Sequence, residues 1–122
     1  MAQPKVSVLI SFYNLAPYVD DTLRSVVGQK TDFPVEILCA DDGSDDGTVE
    51  KLRVWEQNYP DSVRVFVMDR IPGAKYEANE RIQRMNAIRG RLFYEAKGTY
   101  VCYLDGDDFY TDEHKLQKQA DI

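Results

Sequence analysis

The sequence predicts an α/β fold, a mostly parallel sheet with helices on both faces. Short, continuous apolar runs alternate with longer amphipathic stretches, which is typical of repeated strand–helix units. The apolar runs lack the alternation of a half-exposed strand, so we expect strands covered on both faces of a parallel sheet. The chain has 122 residues. We expect residues 1–122 to form a single domain.

The first half of the chain contains two predicted strand–helix units. Residues 6–11 form an apolar, β-branched run that predicts strand 1. Apolar residues at helical spacing over 19–27 predict the first helix, which Gly28 is placed to end. Residues 35–40 predict strand 2, and the apolar positions over 49–59 predict the second helix.

The second half contains two further strands and two helices. They are predicted over residues 63–68 (strand 3), 80–96 (helix 3), 99–104 (strand 4) and from about Glu113 onward (helix 4). Gly90 is expected to break or bend the third helix. Residues 70–80 are predicted to form a loop that contains Pro72 and Gly73.

The charge of the chain is acidic and unevenly distributed. Lysine and arginine number 15 against 21 aspartate and glutamate, which gives a net charge of −6. A duplex-binding protein usually presents a basic surface, so we expect no nucleic-acid partner. Eight of the 14 aspartates lie in two clusters, over residues 41–46 and 105–112. Aspartate favours turns, helix caps and hard-metal ligation, so these clusters are the first indication of a metal or phosphate site.

The cysteines and the apolar runs indicate a cytoplasmic protein. Cys39 and Cys102 lie inside apolar runs, and we expect both to be reduced. The chain leads directly into a strand-like run, so no signal peptide is expected. No apolar stretch approaches the roughly 20 residues that span a bilayer.

Three predicted strands end in polar loops, over residues 11–14, 41–47 and 105–108. The carboxyl ends of parallel strands meet at one edge of a sheet, where ligands bind in open α/β folds. Asp105 and Asp107 could share one hard cation there, and Gly106 permits close approach of a ligand. The alternative is an acidic turn that caps the following helix.

The other two loops each have competing interpretations. Four residues over 42–47 match an EF-hand calcium loop, but Arg53 stands where glutamate is required and a strand precedes the loop. Asp42 is then either a turn and helix-cap residue or an acceptor of hydrogen bonds from a ribose or from a polar heterocycle, for example from a ring N–H. Tyr13 could stack on a base, with Ser11 or Asn14 donating or accepting hydrogen bonds; otherwise these residues belong to the core and a turn.

Arginines in the predicted third helix could bind phosphate. They are Arg81, Arg84, Arg89 and Arg91. Arginine suits bidentate phosphate recognition, although a solvated helix face is the commoner role, and we expect at least one to face the acidic loops. His114 is the only histidine, and a surface position is the more common role for it. No Gly-x-x-x-x-Gly-Lys, Gly-x-Gly-x-x-Gly or Gly-x-Ser-x-Gly motif is present.

Three ordered blocks of the sequence resemble family 2 glycosyltransferases with the GT-A fold. They are residues 4–14, residues 37–48 and residues 96–108, of which the last contains an Asp-x-Asp signature. Residues 109–119 are similar to a bacterial subgroup that builds surface polysaccharides. The resemblance covers nearly the whole chain and implies a Rossmann-like, nucleotide-sugar-binding half of such an enzyme.

The resemblance also implies site residues. Nucleotide-binding roles fall on Ser11, Tyr13, Asn14, Asp42, Arg84 and Asp105. Asp42 would contact uracil or another base, and Arg84 would hold the diphosphate, with Arg89 and Arg91 as alternatives. Asp107 would be the main ligand of Mn²⁺ or Mg²⁺, with Asp105 contacting the ribose or the metal's shell.

The implied reaction is inverting transfer from a nucleotide-diphospho-sugar, most commonly a UDP-sugar, to a glycan or lipid-linked acceptor at the inner face of the cytoplasmic membrane. The catalytic base is expected beyond residue 122, so this chain alone would bind the donor and transfer the sugar poorly or not at all. One alternative is a binding or assembly module without catalysis; another is a metal-dependent nucleotidyltransferase. An unpaired sheet edge could mediate association.

Overall fold

A computed structural model describes residues 3–71 and 74–122; the predicted loop positions Pro72 and Gly73 lie outside this range. Strands and helices alternate along the chain, as predicted. The strands are β1 (Val6–Phe12), β2 (Val35–Asp41), β3 (Val63–Val67) and β4 (Tyr100–Asp105), and the helices are α1 (Val19–Val27), α2 (Thr48–Asn58), α3 (Ala78–Glu95) and α4 (Lys115–Ala120). One 3₁₀ turn, Ala16–Tyr18, leads into α1 and contains the proline at the helix start.

The four strands form one parallel sheet in the order β3-β2-β1-β4. Val6 at the start of β1 lies opposite Val35 of β2 and Tyr100 of β4. Because every strand runs in the same direction, the carboxyl ends of all four lie at one edge of the sheet. The predicted fold class is therefore confirmed.

Helices cover both faces of the sheet. On one face, side chains of β1 pack against Leu23 of α1, Leu52 of α2 and Leu116 of α4. On the other face, Leu9 and the neighbouring strand residues pack against Ile88 of α3 and its neighbour one turn later. Successive strand residues point to opposite faces, so each central strand contributes to both cores.

Strand β4 is less covered than its apolar sequence predicts. Tyr100, Val101 and Tyr103 are exposed, Tyr103 at 37% of its full accessible surface. Within the described residues β4 pairs with β1 alone, and α3 packs mainly over β1 and β2. The expectation of burial on both faces is thus wrong for this edge strand, because an apolar run does not reveal which strand lies at the edge.

The helix boundaries differ from prediction at three points. Helix α3 runs unbroken through Gly90, whose surroundings are open, and it begins at Ala78 because Glu77 and Glu80 form a capping box. Helix α4 begins at Lys115, two residues later than predicted. The segment before α4 is instead a turn, in which the Asp112 carboxylate accepts a hydrogen bond from a backbone N–H of that turn.

Both cysteines are free thiols. Cys39 is fully buried and Cys102 is half-buried, and burial raises the pKa of the Cys39 thiol. None of the helices in the described part of the chain combines the length and the apolar character that a membrane crossing requires.

Candidate functional site

The turn that follows β4 presents three carboxylates, and we call residues 105–108 the carboxylate turn. Asp105 lies opposite Ser11 of β1, and the Gly106 N–H donates to the Ser11 carbonyl at 2.9 Å. The Asp108 N–H donates back to the Asp105 carbonyl at 3.0 Å. The side chains of Asp105, Asp107 and Asp108 are exposed, and one ligand oxygen from each lies within 4.8 Å of the others.

Gly106 allows the carboxylate turn to lie directly against β1. A Cβ atom at this position would lie 2.6 Å from the Ser11 carbonyl oxygen and 2.7 Å from a ring carbon of Phe12. Phe12 is buried in the core, so its ring cannot retreat without displacing other side chains. The three converging carboxylate oxygens fit a hard divalent cation such as Mg²⁺ or Mn²⁺.

A cleft of about 270 Å³ opens beside the carboxylate turn. The predicted site residues that line it are Ser11, Tyr13, Asp42, Asp105 and Asp107. Helix α3 supplies the opposite wall with Met85, Ile88 and Arg89. Residues from three different loops and strands therefore meet at the carboxyl edge of the sheet, as the sequence predicts.

Asn14 connects two loops of the site. Its backbone has a φ of +50°, a left-handed conformation that asparagine tolerates better than most residues. Its N–H donates to the Ser44 hydroxyl at 2.8 Å, and its side-chain oxygen accepts from the Asp45 N–H at 3.0 Å. Asn14 therefore holds the loop after β1 to the loop after β2.

Asp41 anchors the loop after β2 from inside. Its fully buried carboxylate accepts hydrogen bonds from the Ser44 N–H at 2.7 Å and from the Ser44 hydroxyl at 2.6 Å. Burial raises the pKa of Asp41, although these hydrogen bonds oppose the shift. Asp41 is therefore a structural carboxylate, whereas its neighbour Asp42 faces the cleft.

Asp42 is clamped by two arginines. Arg70 donates to one of its carboxylate oxygens at 2.9 Å and to its backbone carbonyl at 2.9 Å. Arg84 donates to the other carboxylate oxygen at 2.7 Å through Nε and to the Asp69 carbonyl at 3.0 Å. All three side chains are largely buried, Arg84 at 15% exposure. The guanidinium of Arg84 therefore already donates hydrogen bonds to acceptors within the protein.

Arg70 is a site residue that the sequence analysis missed. Its guanidinium lies between the rings of Tyr13 and Tyr76, 4.2 Å and 4.7 Å from their centroids. It falls within a predicted loop that has no periodicity. The available signal was its position just past the carboxyl end of strand 3, at the edge where the other site residues converge.

The remaining arginines of α3 have different environments. Arg89 lines the cleft and lies over the Tyr103 ring at 5.5 Å. Arg91 pairs with Glu95, and Arg81 donates to the Tyr76 carbonyl. The expectation that at least one of these arginines faces the acidic loops is confirmed by Arg84 and Arg89. The half-exposed His114 lies beside Glu113, outside the carboxylate turn.

Sequence and structure comparisons agree with this architecture. The family model described as Glycosyl transferase family 2 matches residues 7–122. TuaG of Bacillus subtilis (strain 168), named for teichuronic acid biosynthesis, is 32% identical over 120 residues, 98% of this chain and 42% of TuaG.

Two solved structures share the fold. S. aureus TarS 1–349 in complex with UDP has a TM-score of 0.71 and 24% identity, over 96% of this chain and 31% of that one. Mannosyltransferase PcManGT from Pyrobaculum calidifontis, in complex with GDP-Man and Mn²⁺, has a TM-score of 0.65 and 24% identity, over 93% and 30%. The chain thus spans less than half the length of these relatives. On the family match over nearly all of its residues, the chain belongs to glycosyl transferase family 2.

Proposed function

We propose that residues 1–122 are one nucleotide-sugar-binding domain of an inverting glycosyltransferase. The donor is a nucleotide-diphospho-sugar, with UDP as the first candidate nucleotide. The observation that carries the proposal is the meeting of the carboxylate turn, Tyr13, Asp42 and Arg89 around one cleft at the carboxyl edge of the sheet. Family membership and the UDP complex of the TarS structure support it.

Asp107 and Asp105 would hold a Mn²⁺ or Mg²⁺ ion in this proposal. Their carboxylate oxygens converge with that of Asp108, and oxygen ligands of this kind suit both ions. Bound there, the cation would supply charge neutralisation for the diphosphate leaving group. The Mn²⁺ in the PcManGT complex supports use of a divalent metal in this fold.

The base end of the donor would lie on the opposite side of the cleft, near Tyr13. Tyr13 offers an aromatic face, and Ser11 and Asp42 offer polar atoms to a heterocycle. Arg70 and Arg84 keep the Asp42 carboxylate in a fixed position. A fixed acceptor at this point discriminates between bases by which ring nitrogen carries a proton. Asn14 would support this end through its hydrogen bonds to the loop after β2.

Arg89 is better placed than Arg84 to contact the diphosphate. Both were candidates from the sequence, but Arg84 is held by Asp42 and the Asp69 carbonyl. Arg89 lines the same cleft as Asp105 and Asp107, and within residues 3–71 and 74–122 it has no carboxylate at ion-pair distance. We therefore assign Arg89 to the leaving phosphate, where a fixed cation stabilises developing negative charge.

The transfer itself would begin when an acceptor hydroxyl attacks the anomeric carbon and the nucleoside diphosphate departs with inversion. We assign no residue of this chain as the base that removes the hydroxyl proton. We propose a glycan or lipid-linked acceptor at the inner face of the cytoplasmic membrane. The name of TuaG, which refers to a polysaccharide, supports the glycan class.

Calorimetric titration of nucleotides into the 122-residue chain with MnCl₂ tests this assignment. We expect UDP to bind more tightly than GDP, ADP or deoxythymidine diphosphate. Loss of a charge-assisted contact in Arg89→Ala should weaken UDP binding about tenfold or more and leave uridine binding unchanged. Arg24→Ala, an exposed arginine on α1, is the matched control and should bind UDP as the wild type does.

Two results would contradict the assignment. Absence of binding by all four nucleotides would exclude the donor-site proposal for this chain. If Arg84→Ala selectively weakens UDP relative to uridine while Arg89→Ala does not, the phosphate contact belongs to Arg84.

A further inference from the structure

Three polar residues on α1 and just past its end bond to the segment following β4. Thr22 and Ser25 lie three positions apart on one face of α1, and Gln29 follows two residues after the helix ends at Val27. Their partners lie between residues 106 and 116 and follow in the same order along the chain. We call these three side chains the α1 ladder.

Thr22 contacts the carboxylate turn itself. Its hydroxyl, in a side chain only 1% exposed, lies 3.0 Å from the Gly106 carbonyl oxygen and 2.7 Å from the Asp108 carbonyl oxygen. These two carbonyls belong to the residues on either side of Asp107. A single buried hydroxyl therefore fixes the backbone on both sides of the central carboxylate.

Ser25 and Gln29 extend the same attachment beyond the turn. The Ser25 hydroxyl accepts a hydrogen bond from the Tyr110 N–H at 3.0 Å. The Gln29 side chain donates to the Asp112 carbonyl at 2.8 Å and accepts from the Leu116 N–H at 3.1 Å. The ladder thus satisfies backbone groups that no strand partner satisfies, and it continues as far as the start of α4.

The carboxylate turn needs such support because repulsion among its carboxylates opposes its compact conformation. Three like charges with oxygens within 4.8 Å repel one another, and the repulsion favours a more open turn in the absence of a cation. Helix α1 resists this opening because Val19, Leu23 and Val26 fix it in the core. A rigid helix bonded to the turn backbone holds the carboxylates together before an ion arrives.

We propose that Thr22, Ser25 and Gln29 are positioning residues that preorganise the carboxylate turn for a divalent cation. The proposal rests on the proposed function, because it assigns these residues to the same metal site. None of the three side chains would be a ligand of the cation; they act through the backbone of the turn. Supporting groups around a metal site commonly change metal affinity by about 10- to 100-fold when they are removed.

Titration of MnCl₂ alone, followed by the paramagnetic resonance signal of free Mn²⁺, tests the proposal on the 122-residue chain. Thr22→Val keeps the side-chain shape and removes the hydroxyl, and we expect its Mn²⁺ affinity to fall about tenfold. Thr22→Ser restores a hydroxyl and should recover most of the affinity. Thr31→Val is the matched control, because Thr31 also donates to a backbone carbonyl, that of Phe33, in a loop outside the site.

The outcomes separate this proposal from the proposed function. Wild-type affinity in Thr22→Val, or an equal loss in Thr31→Val, would overturn the positioning role while the metal site stands. A wild-type chain that binds no Mn²⁺ would overturn the metal site and this proposal together. If Thr22→Val does not fold by circular dichroism, Ser25→Ala is titrated instead; weakened Mn²⁺ binding supports the proposal, and wild-type binding overturns it.

Discussion

Replacement of Gly106 by alanine should destabilise the fold through the packing of the carboxylate turn on β1. The new Cβ would lie 2.6 Å from the Ser11 carbonyl oxygen and 2.7 Å from a Phe12 ring carbon. Neither neighbour can retreat easily, because Phe12 is 2% exposed and Ser11 is held in the sheet. Overpacking of this kind costs about 1–3 kcal/mol, and because both a ring and a backbone carbonyl crowd the new Cβ, we expect a cost of about 3 kcal/mol at this site.

Gly90→Ala is the matched comparison for Gly106→Ala. No atom lies within 4 Å of a Cβ built at Gly90, which stands in the interior of α3. Alanine in a helix interior is favoured over glycine by about 0.5–1 kcal/mol, so this variant should be more stable than the wild type.

Urea unfolding followed by circular dichroism measures both variants against the wild type. We expect the free energy of unfolding to fall for Gly106→Ala and to rise for Gly90→Ala, with similar denaturant slopes. A loss of about 3 kcal/mol corresponds to a decrease in Tm of roughly 10 °C for a domain of this size. Unfolding of Gly106→Ala at the wild-type urea concentration would refute the packing argument.

Two further substitutions test the electrostatics of the loop after β2. Asp42→Ala leaves Arg70 and Arg84 without their shared carboxylate, and breaking such a partly buried pair should lower the free energy of unfolding by about 3 kcal/mol in urea titration. Breaking the exposed ion pair between Arg24 and Asp21 should change the free energy of unfolding by less than about 1 kcal/mol. An equal loss of stability on removal of the Asp42 carboxylate and of the Arg24 pair would contradict the clamp. Burial raises the folded-state pKa of Asp41, so its contribution to stability is present below the unfolded pKa and is lost as the pH rises through the folded one. Asp41→Asn should therefore gain stability relative to wild type as the pH rises above about 4, and a pH-independent difference in unfolding free energy would contradict this reasoning.

The central strands were predictable because burial on both faces requires a continuous apolar run in the sequence. The predicted strands 1 and 2 each fall one residue short of β1 and β2 as observed. The prediction for β4 found the strand but not its exposure. Its apolar run resembles a central strand, and position in the sheet depends on pairing partners that the run itself does not specify.

The site was predictable as far as chain direction determines it. A parallel sheet brings Ser11, Asp42 and Asp105 to one edge whatever their side chains contact, so their convergence follows from the strand assignment. Their roles toward a nucleotide stay predictions. The clamp by Arg70 was not predictable, since it joins residues 28 positions apart across a loop without periodicity.

The difference between Arg84 and Arg89 also depends on tertiary structure. Both lie on α3, and their spacing in the sequence does not show which of the two has a carboxylate partner within the fold. In the structure Arg84 donates a hydrogen bond to the Asp42 carboxylate, whereas Arg89 lines the cleft. The α1 ladder was hidden for the same reason, because Thr22 and Ser25 on α1 and Gln29 after it carry no sign in the sequence of what they contact.

The most direct test of the central claim is UDP binding by this chain with and without Mn²⁺, measured by calorimetry on the wild type and on Asp107→Ala. Asp61→Ala, an exposed aspartate in the loop between α2 and β3, is the matched control. We predict binding that requires Mn²⁺, is lost in Asp107→Ala and is retained in Asp61→Ala. UDP binding that is equal with and without Mn²⁺, or that survives in Asp107→Ala, would contradict the assignment of the carboxylate turn as the metal site.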